Sequence, residues 1–195
     1  MSTTDTALEA ISRRPKRADA QRNYDKLIAA AREAFAESGA STSLEEIARR
    51  AGVGIGTLYR HFPTRQELLE AVYVDEVEAL CQSAADLAEL EPFDALAAWL
   101  HRFTGYLATK QALAQELLAY RDRDSDLFRG CRSAFYSAGE PLLERAQAAG
   151  AARTDTNIDE VIQMASGITK IPSADPAQIE HILDVAIDGL RYRGP

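Results

Sequence analysis

Apolar residues recur at three- and four-residue spacing along almost the whole chain, and the strict alternation that strands need is nearly absent. This periodicity predicts an all-α protein of about nine helices. Tyr24, Leu27, Ile28, Ala31 and Phe35 share one stripe, and Gly39 follows as a natural stop. A short second helix opens at Ser43, with Glu46 placed to complete a reciprocal capping box. Ile47, Ala48 and Ala51 give it an apolar face, and Gly52 ends it. A third short helix carries Leu58, Tyr59 and Phe62 until Pro63 and Thr64 break it. Thr64 and Glu67 then cap a long fourth helix, in which Leu69, Tyr73, Val77, Leu80, Ala84 and Leu87 stay in phase for about five turns. Beyond Pro92, helices are expected over 93–110, 111–119, 124–149, 156–169 and 175–192. The last begins with Asp175 as N-cap, Pro176 in the first position and Gln178 in the third.

A chain of 195 residues can bury one large core or two small ones. Its longest runs without Asp, Glu, Lys or Arg are the nine residues 51–59 and the nine residues 161–169. Neither can cross a bilayer, which takes about 20 apolar residues. The first residues hold no apolar signal core, and Cys81 and Cys131 alone do not suggest a disulfide framework. A cytoplasmic protein without a membrane partner is the economical expectation. The net charge of −8 argues against nucleic acid until its distribution is read. Residues 10–65 carry 11 Lys and Arg against 6 Asp and Glu, a balance of +5, whereas residues 71–195 carry 11 against 20, a balance of −9. A basic head on an acidic body suits a protein that meets DNA at one end.

Two short helices joined by a tight glycine turn, braced by a helix on each side, have the layout of a helix-turn-helix. Gly52 supplies the residue without a Cβ where the chain reverses, and Val53 can plug the angle between the helices. Gly54 and Gly56 let the start of the third helix approach DNA closely, with amides pointing at a phosphate. Thr57 and Tyr59 add hydroxyls, and Arg60, His61 and Arg65 add polar reach. Taken singly, Phe62 reads as a core aromatic and His61 as a surface histidine, whereas Tyr59 reads as an outward hydroxyl more than as core. Residues 1–20, with Arg13, Arg14, Lys16 and Arg17, are expected to form a flexible basic arm that is either free or laid along the DNA beside the site.

The run Thr42-Ser43-Leu44-Glu45-Glu46-Ile47-Ala48, then Ala51-Gly52-Val53, Gly56-Thr57-Leu58-Tyr59-Arg60-His61-Phe62 and Thr64-Arg65-Gln66-Glu67-Leu68 resembles the signature of the TetR family. The likeness extends over about residues 26–72. It implies a helix-turn-helix DNA-binding domain over 21–67, followed by an effector-binding and dimerisation domain over 68–195. Ser43, Thr57 and Tyr59 would bind phosphates, and Arg65 would bind one from the start of the fourth helix. Ile55, Gly56, Arg60 and His61 would face base edges. Gly54 stands where the family often has Ser, which removes one phosphate contact, and Arg65 stands where Lys is usual.

In the acidic body, Phe93, Leu96, Ala97, Leu100, Thr104 and Leu107 form one stripe and Trp99, Phe103 and Tyr106 a second beside it, so half the fifth helix is apolar. The surplus is either ordinary core or the wall of a cavity, where Trp99 and Tyr106 would offer polar tips to a ligand. Tyr120, Phe128, Phe135 and Met164 are further candidates for that lining. The family resemblance implies a homodimer through the last two helices, which bear Ile158, Val161, Ile162, Ala165, Ile179, Ile182, Leu183, Ala186 and Leu190. A repressor released from a palindromic operator by a small effector is therefore expected, with no cofactor and no metal. Catalysis is disfavoured because His61, His101 and His181 are far apart and no phosphate loop or nucleophile elbow occurs. A redox sensor built on the two cysteines and an architectural DNA-binding protein without a ligand are the other readings.

Overall fold

The computed structural model describes residues 14, 15, 17–38, 42–122, 125–172 and 175–192. Among them are eight α-helices and one 3-10 turn: α1 Ala18–Ser38, α2 Leu44–Arg50, α3 Ile55–His61, α4 Arg65–Gln82, the turn Ala85–Leu87, α5 Pro92–Leu117, α6 Asp126–Ala148, α7 Ile158–Ile168 and α8 Pro176–Asp188. No strand occurs among the described residues. The all-α expectation is met, with three local differences. The fourth helix stops at Gln82 and the chain tightens into the 3-10 turn, so the stripe through Leu87 does not belong to one straight helix. Residues 93–117, expected as two helices, are one, since neither glycine nor proline interrupts 106–117. The last helix ends at Asp188, four residues early, because residues 190–192 turn aside to pair with the α6–α7 loop. The Arg153 amide donates to the Leu190 carbonyl at 2.9 Å, and the Tyr192 amide donates to that of Ala151 at 3.0 Å. Gly39, most of the basic arm and the two positions 123–124 lie outside the described residues.

Two compact units emerge, one of Met1–Val77 with Thr109–Cys131, the other of Glu78–Ala108 with Arg132–Pro195. Helices α4, α5 and α6 each pass from one unit into the other along the chain. In the first unit, Tyr24, Leu27, Ile28, Ala31 and Ala34 of α1 are buried with Ile47 and Ala48 of α2 and Leu58 of α3. These residues form the small core on which α2 and α3 are mounted.

The second unit is built around aromatic residues. Trp99 and Phe103 stack at 5.6 Å between centroids, while Phe135 of α6 meets Phe103 edge-on at 5.4 Å and Tyr106 at 5.5 Å. Trp99 is completely buried, and Gly139 lies under it: a Cβ there would come within 2.8 Å of both the indole ring and Ile158 Cδ1. Gly139→Ala is therefore expected to destabilise this unit, although alanine is about 1 kcal/mol the better helix former. Forcing a methyl into a packed core costs roughly 1–3 kcal/mol. Urea unfolding followed by the fluorescence of Trp99, the sole tryptophan, checks it, and a variant as stable as the parent contradicts this packing.

Candidate DNA-recognition face and effector core

The recognition turn is a Schellman motif. Gly52 has φ +66°, its amide donates to the Arg49 carbonyl at 3.1 Å, and the Val53 amide donates to that of Ala48 at 3.0 Å. A β-carbon is strained in this left-handed conformation, so glycine is required. Helix α2 begins at Ser43, whose Oγ accepts from the Glu46 amide at 3.2 Å. The return half of the expected box goes elsewhere: the Glu46 carboxylate accepts from Arg49 at 2.7 and 2.8 Å and from Arg50 at 2.8 Å. These hydrogen bonds, with Arg49's the larger, hold the Glu46 carboxyl down at about 2. Arg50 also pairs with Glu37 of α1 at 2.6 Å. Both arginines thus fasten α2, a use of basic charge that composition cannot distinguish from DNA binding.

Helix α3 has two unlike faces. Leu58 and, just past its end, Phe62 are buried, with Phe62 against Tyr24 at 5.1 Å. Opposite them lie Ile55 and Tyr59, large side chains that are 38% and 45% exposed, with Gly54, Gly56 and Arg60 also exposed. A β-carbon at Gly54 or Gly56 would meet nothing within 4 Å. No neighbour among the described residues therefore requires a glycine at either place. Arg60 has no ion-pair partner among the described residues. Thr57 is half-buried on the flank, and His61 packs edge-on against Tyr24 at 6.2 Å, so its imidazole is only partly presented. At the start of α4 both halves of the Thr64–Glu67 box form, at 3.1 and 3.2 Å. Arg65 is turned inward: Nη1 donates to the Thr42 carbonyl at 2.6 Å, and the guanidinium lies 5.7 Å from the Phe35 ring centroid. Of the basic arm, Arg14 is within the described residues and pairs with Asp75 of α4.

The residues expected to line an effector site do not all come together. Trp99, Phe103, Tyr106 and Phe135 form the aromatic core of the second unit. Phe128 instead meets Tyr73 edge-on at 5.5 Å within the first unit, where Tyr120 is also found, 46% exposed. Met164 is half-buried in a surface groove of about 520 Å³ with Arg153, Glu160, Ala186 and Gly189. In the core, Trp99 Nε1 is buried without a hydrogen-bond partner among the described residues. Thr104 is the only buried polar or charged residue among them, and its hydroxyl donates to carbonyls of its own helix at 3.0 and 3.1 Å. Gly105, on the same helix, faces open space, so a side chain there would not reach the core. Cys81 is a poor redox centre, since burial, reinforced by Glu78, pushes its thiol up to about 12, and Cys131 is 1% exposed.

Residues 27–72 match the model for bacterial regulatory proteins of the tetR family, and residues 91–192 match that for the C-terminal domain of SbtR-like transcriptional regulators. The chain belongs to the TetR family. Among solved structures, a TetR transcriptional regulator from Streptomyces coelicolor is 42% identical over 87% of this chain and 99% of that one, with a TM-score of 0.74. A TetR regulatory protein from Mycobacterium vanbaalenii is 34% identical over 91% and 99%, with a TM-score of 0.73. The HTH-type transcriptional regulator UidR of Escherichia coli K12 is 28% identical over 52% of this chain and 53% of its own length. A regulator from Staphylococcus aureus is 34% identical over 39% and 41%. The chain thus spans about half the length of the curated relatives it matches or less. These relatives are transcriptional regulators, not enzymes, and TetR proteins carry their DNA-binding function in the N-terminal helix-turn-helix. No helix among the described residues is long and apolar enough to cross a membrane.

Proposed function

We propose that this TetR-family chain is a dimeric repressor that seats α3 of each subunit in adjacent major grooves of a palindromic operator and leaves it when a small molecule binds the aromatic core. The observation that carries the DNA reading is the outward face of α3, where two large apolar side chains and two glycines stand exposed with no internal packing reason. Ile55, Gly56 and Arg60 then face base edges, with His61 at the margin. Ser43, Thr57 and Tyr59 meet phosphates, and Gly54 admits the backbone closely. The unmet Trp99 N–H supports the effector reading, because a buried indole usually finds an acceptor. A bound molecule could supply one.

Dimerisation is proposed across the outer face of α7 and α8. Met164, Gly167 and Ile171 follow one another along α7 and just beyond its end, and Ile182, Val185, Ala186 and Gly189 do so along α8. All are half-buried or exposed, Val185 at 61%. A two-fold protein places one motif on each half of a palindrome.

The test separates folding from recognition. Gly56→Ala gains about 0.5–1 kcal/mol of helix propensity and is expected to melt no lower than the parent. The added methyl holds α3 off the DNA, so affinity for a duplex selected by the parent protein from a randomised pool falls about tenfold or more. Arg60→Ala is expected to relax discrimination at one or two base pairs, each worth about 1–3 kcal/mol. If both variants bind selected and scrambled duplexes as the parent does, the outward face of α3 is not the recognition surface.

A further inference from the structure

We infer that Arg65 is a positioning residue for DNA recognition: from the first turn of α4 it holds the entrance to α2, and with it the Ser43 hydroxyl, and does not itself grip a phosphate. The inference rests on the operator-binding reading above and assigns one residue within it. An arginine arranged for phosphate presents its Nη groups to solvent as a fork. Here Nη1 is committed to the Thr42 carbonyl at 2.6 Å, and Nη2 is enclosed, with no hydrogen-bond partner among the described residues. The plane of the group lies near Phe35 of α1, at 5.7 Å. A cation at the first residue of a helix also faces the unfavourable end of the macrodipole, so this position needs a compensating contact. The Thr42 carbonyl and the Phe35 ring provide one.

What Arg65 holds is the residue before a candidate DNA contact. The Thr42 hydroxyl donates to the Ala34 carbonyl at 3.3 Å, so this residue is tied to α1 as well as to α4. The next residue is Ser43, N-cap of α2, whose Oγ accepts from the Glu46 amide. A serine oxygen that caps a helix and also donates to a phosphate must be placed within a fraction of an ångström, and the tie at Thr42 limits its drift. The same geometry explains arginine at this position. A planar guanidinium can lie against Phe35 and donate in its own plane to Thr42, whereas a lysine ammonium has no plane to stack.

The test uses the full-length protein and a duplex selected by the parent from a randomised pool. Arg65→Gln is expected to lower affinity about tenfold while leaving the log–log salt slope unchanged, because no ionic phosphate contact is lost. Ser43→Ala should cost less in the Arg65→Gln background than in the parent. Without DNA, the Glu46 amide should exchange its hydrogen faster in Arg65→Gln. A slope shallower by about 0.9 per subunit, with additive effects of the two substitutions, would make Arg65 a phosphate ligand and overturn the proposal. If no duplex is selected, the operator reading fails by itself and amide exchange decides: faster exchange at Glu46 supports the brace, and unchanged exchange overturns it. Should Arg65→Gln not fold, Arg65→Lys carries the same test. It keeps the charge, and on this proposal it still speeds exchange at Glu46.

Discussion

Leu183→Glu is expected to unfold the second unit, whereas Val185→Glu, two residues along the same helix, should leave each subunit folded and separate the proposed dimer. Leu183 is 1% exposed and Val185 61%. A carboxylate at 183 would sit among buried apolar side chains, such as Ile187 and Leu190 on the same flank, with no buried charge among the described residues to pair with. Burying an unpaired charge costs several kcal/mol, comparable with the roughly 5–15 kcal/mol that holds a domain together. At 185 the side chain is solvated in the isolated subunit, so stability should change by no more than about 0.5 kcal/mol. On the proposed assembly, however, two carboxylates would meet across the two-fold seam. Circular dichroism in urea reads the first effect and sedimentation velocity the second. A folded Leu183→Glu subunit contradicts the orientation of α8. A Val185→Glu protein that stays dimeric puts the interface on another face, and operator binding should survive with it.

That contrast marks where one-dimensional reading stops. Periodicity in the last helix gives a stripe through Ile179, Ile182, Leu183, Ala186 and Leu190, but a stripe wide enough for two contacts does not say which edge meets its own chain. The head was legible because its chemistry is local. Gly52 is needed for a left-handed residue, and Thr64 and Glu67 fall within one helical turn of each other, as Asp175 and Gln178 do at the start of the last helix outside the head. Asn157 and Glu160 form an equally complete box at the start of α7, a signal present in the sequence but merged there into a longer helix. Inter-helix geometry was not legible. Nothing local says that Arg65 turns inward to a carbonyl 23 residues away, that Arg50 also reaches Glu37 on another helix, or that Phe128 lies in a different unit from Trp99. Gly139 gave no signal at all, because its role is the close approach of a ring 40 residues earlier.

Binding of an effector to the aromatic core is expected to weaken operator affinity 5- to 150-fold, and operator DNA is expected to weaken effector binding by the same factor. The equality follows from linkage: two ligands on one protein share one coupling free energy, about 1–3 kcal/mol for this range. The route available to it is the chain itself. Helix α4 begins at the Thr64–Glu67 cap beside α3 and continues as one helix into the unit that contains Trp99. A ligand that favours one setting of α4 over another would therefore act on the DNA-binding head, and only this difference in affinity between the two settings counts. Trp99 makes the measurement direct, since the sole indole of the chain lies in the proposed site and reports occupancy by fluorescence. A compound found by thermal-shift screening is titrated against the protein alone and against the protein saturated with its selected duplex. Phe103→Ala removes the ring that stacks on Trp99 in the proposed site and should weaken both effector binding and the response. Gly105→Phe, projecting into open space, should change neither. Equal effector affinities in the two titrations would mean that the aromatic core is a binding site without authority over the DNA-binding head.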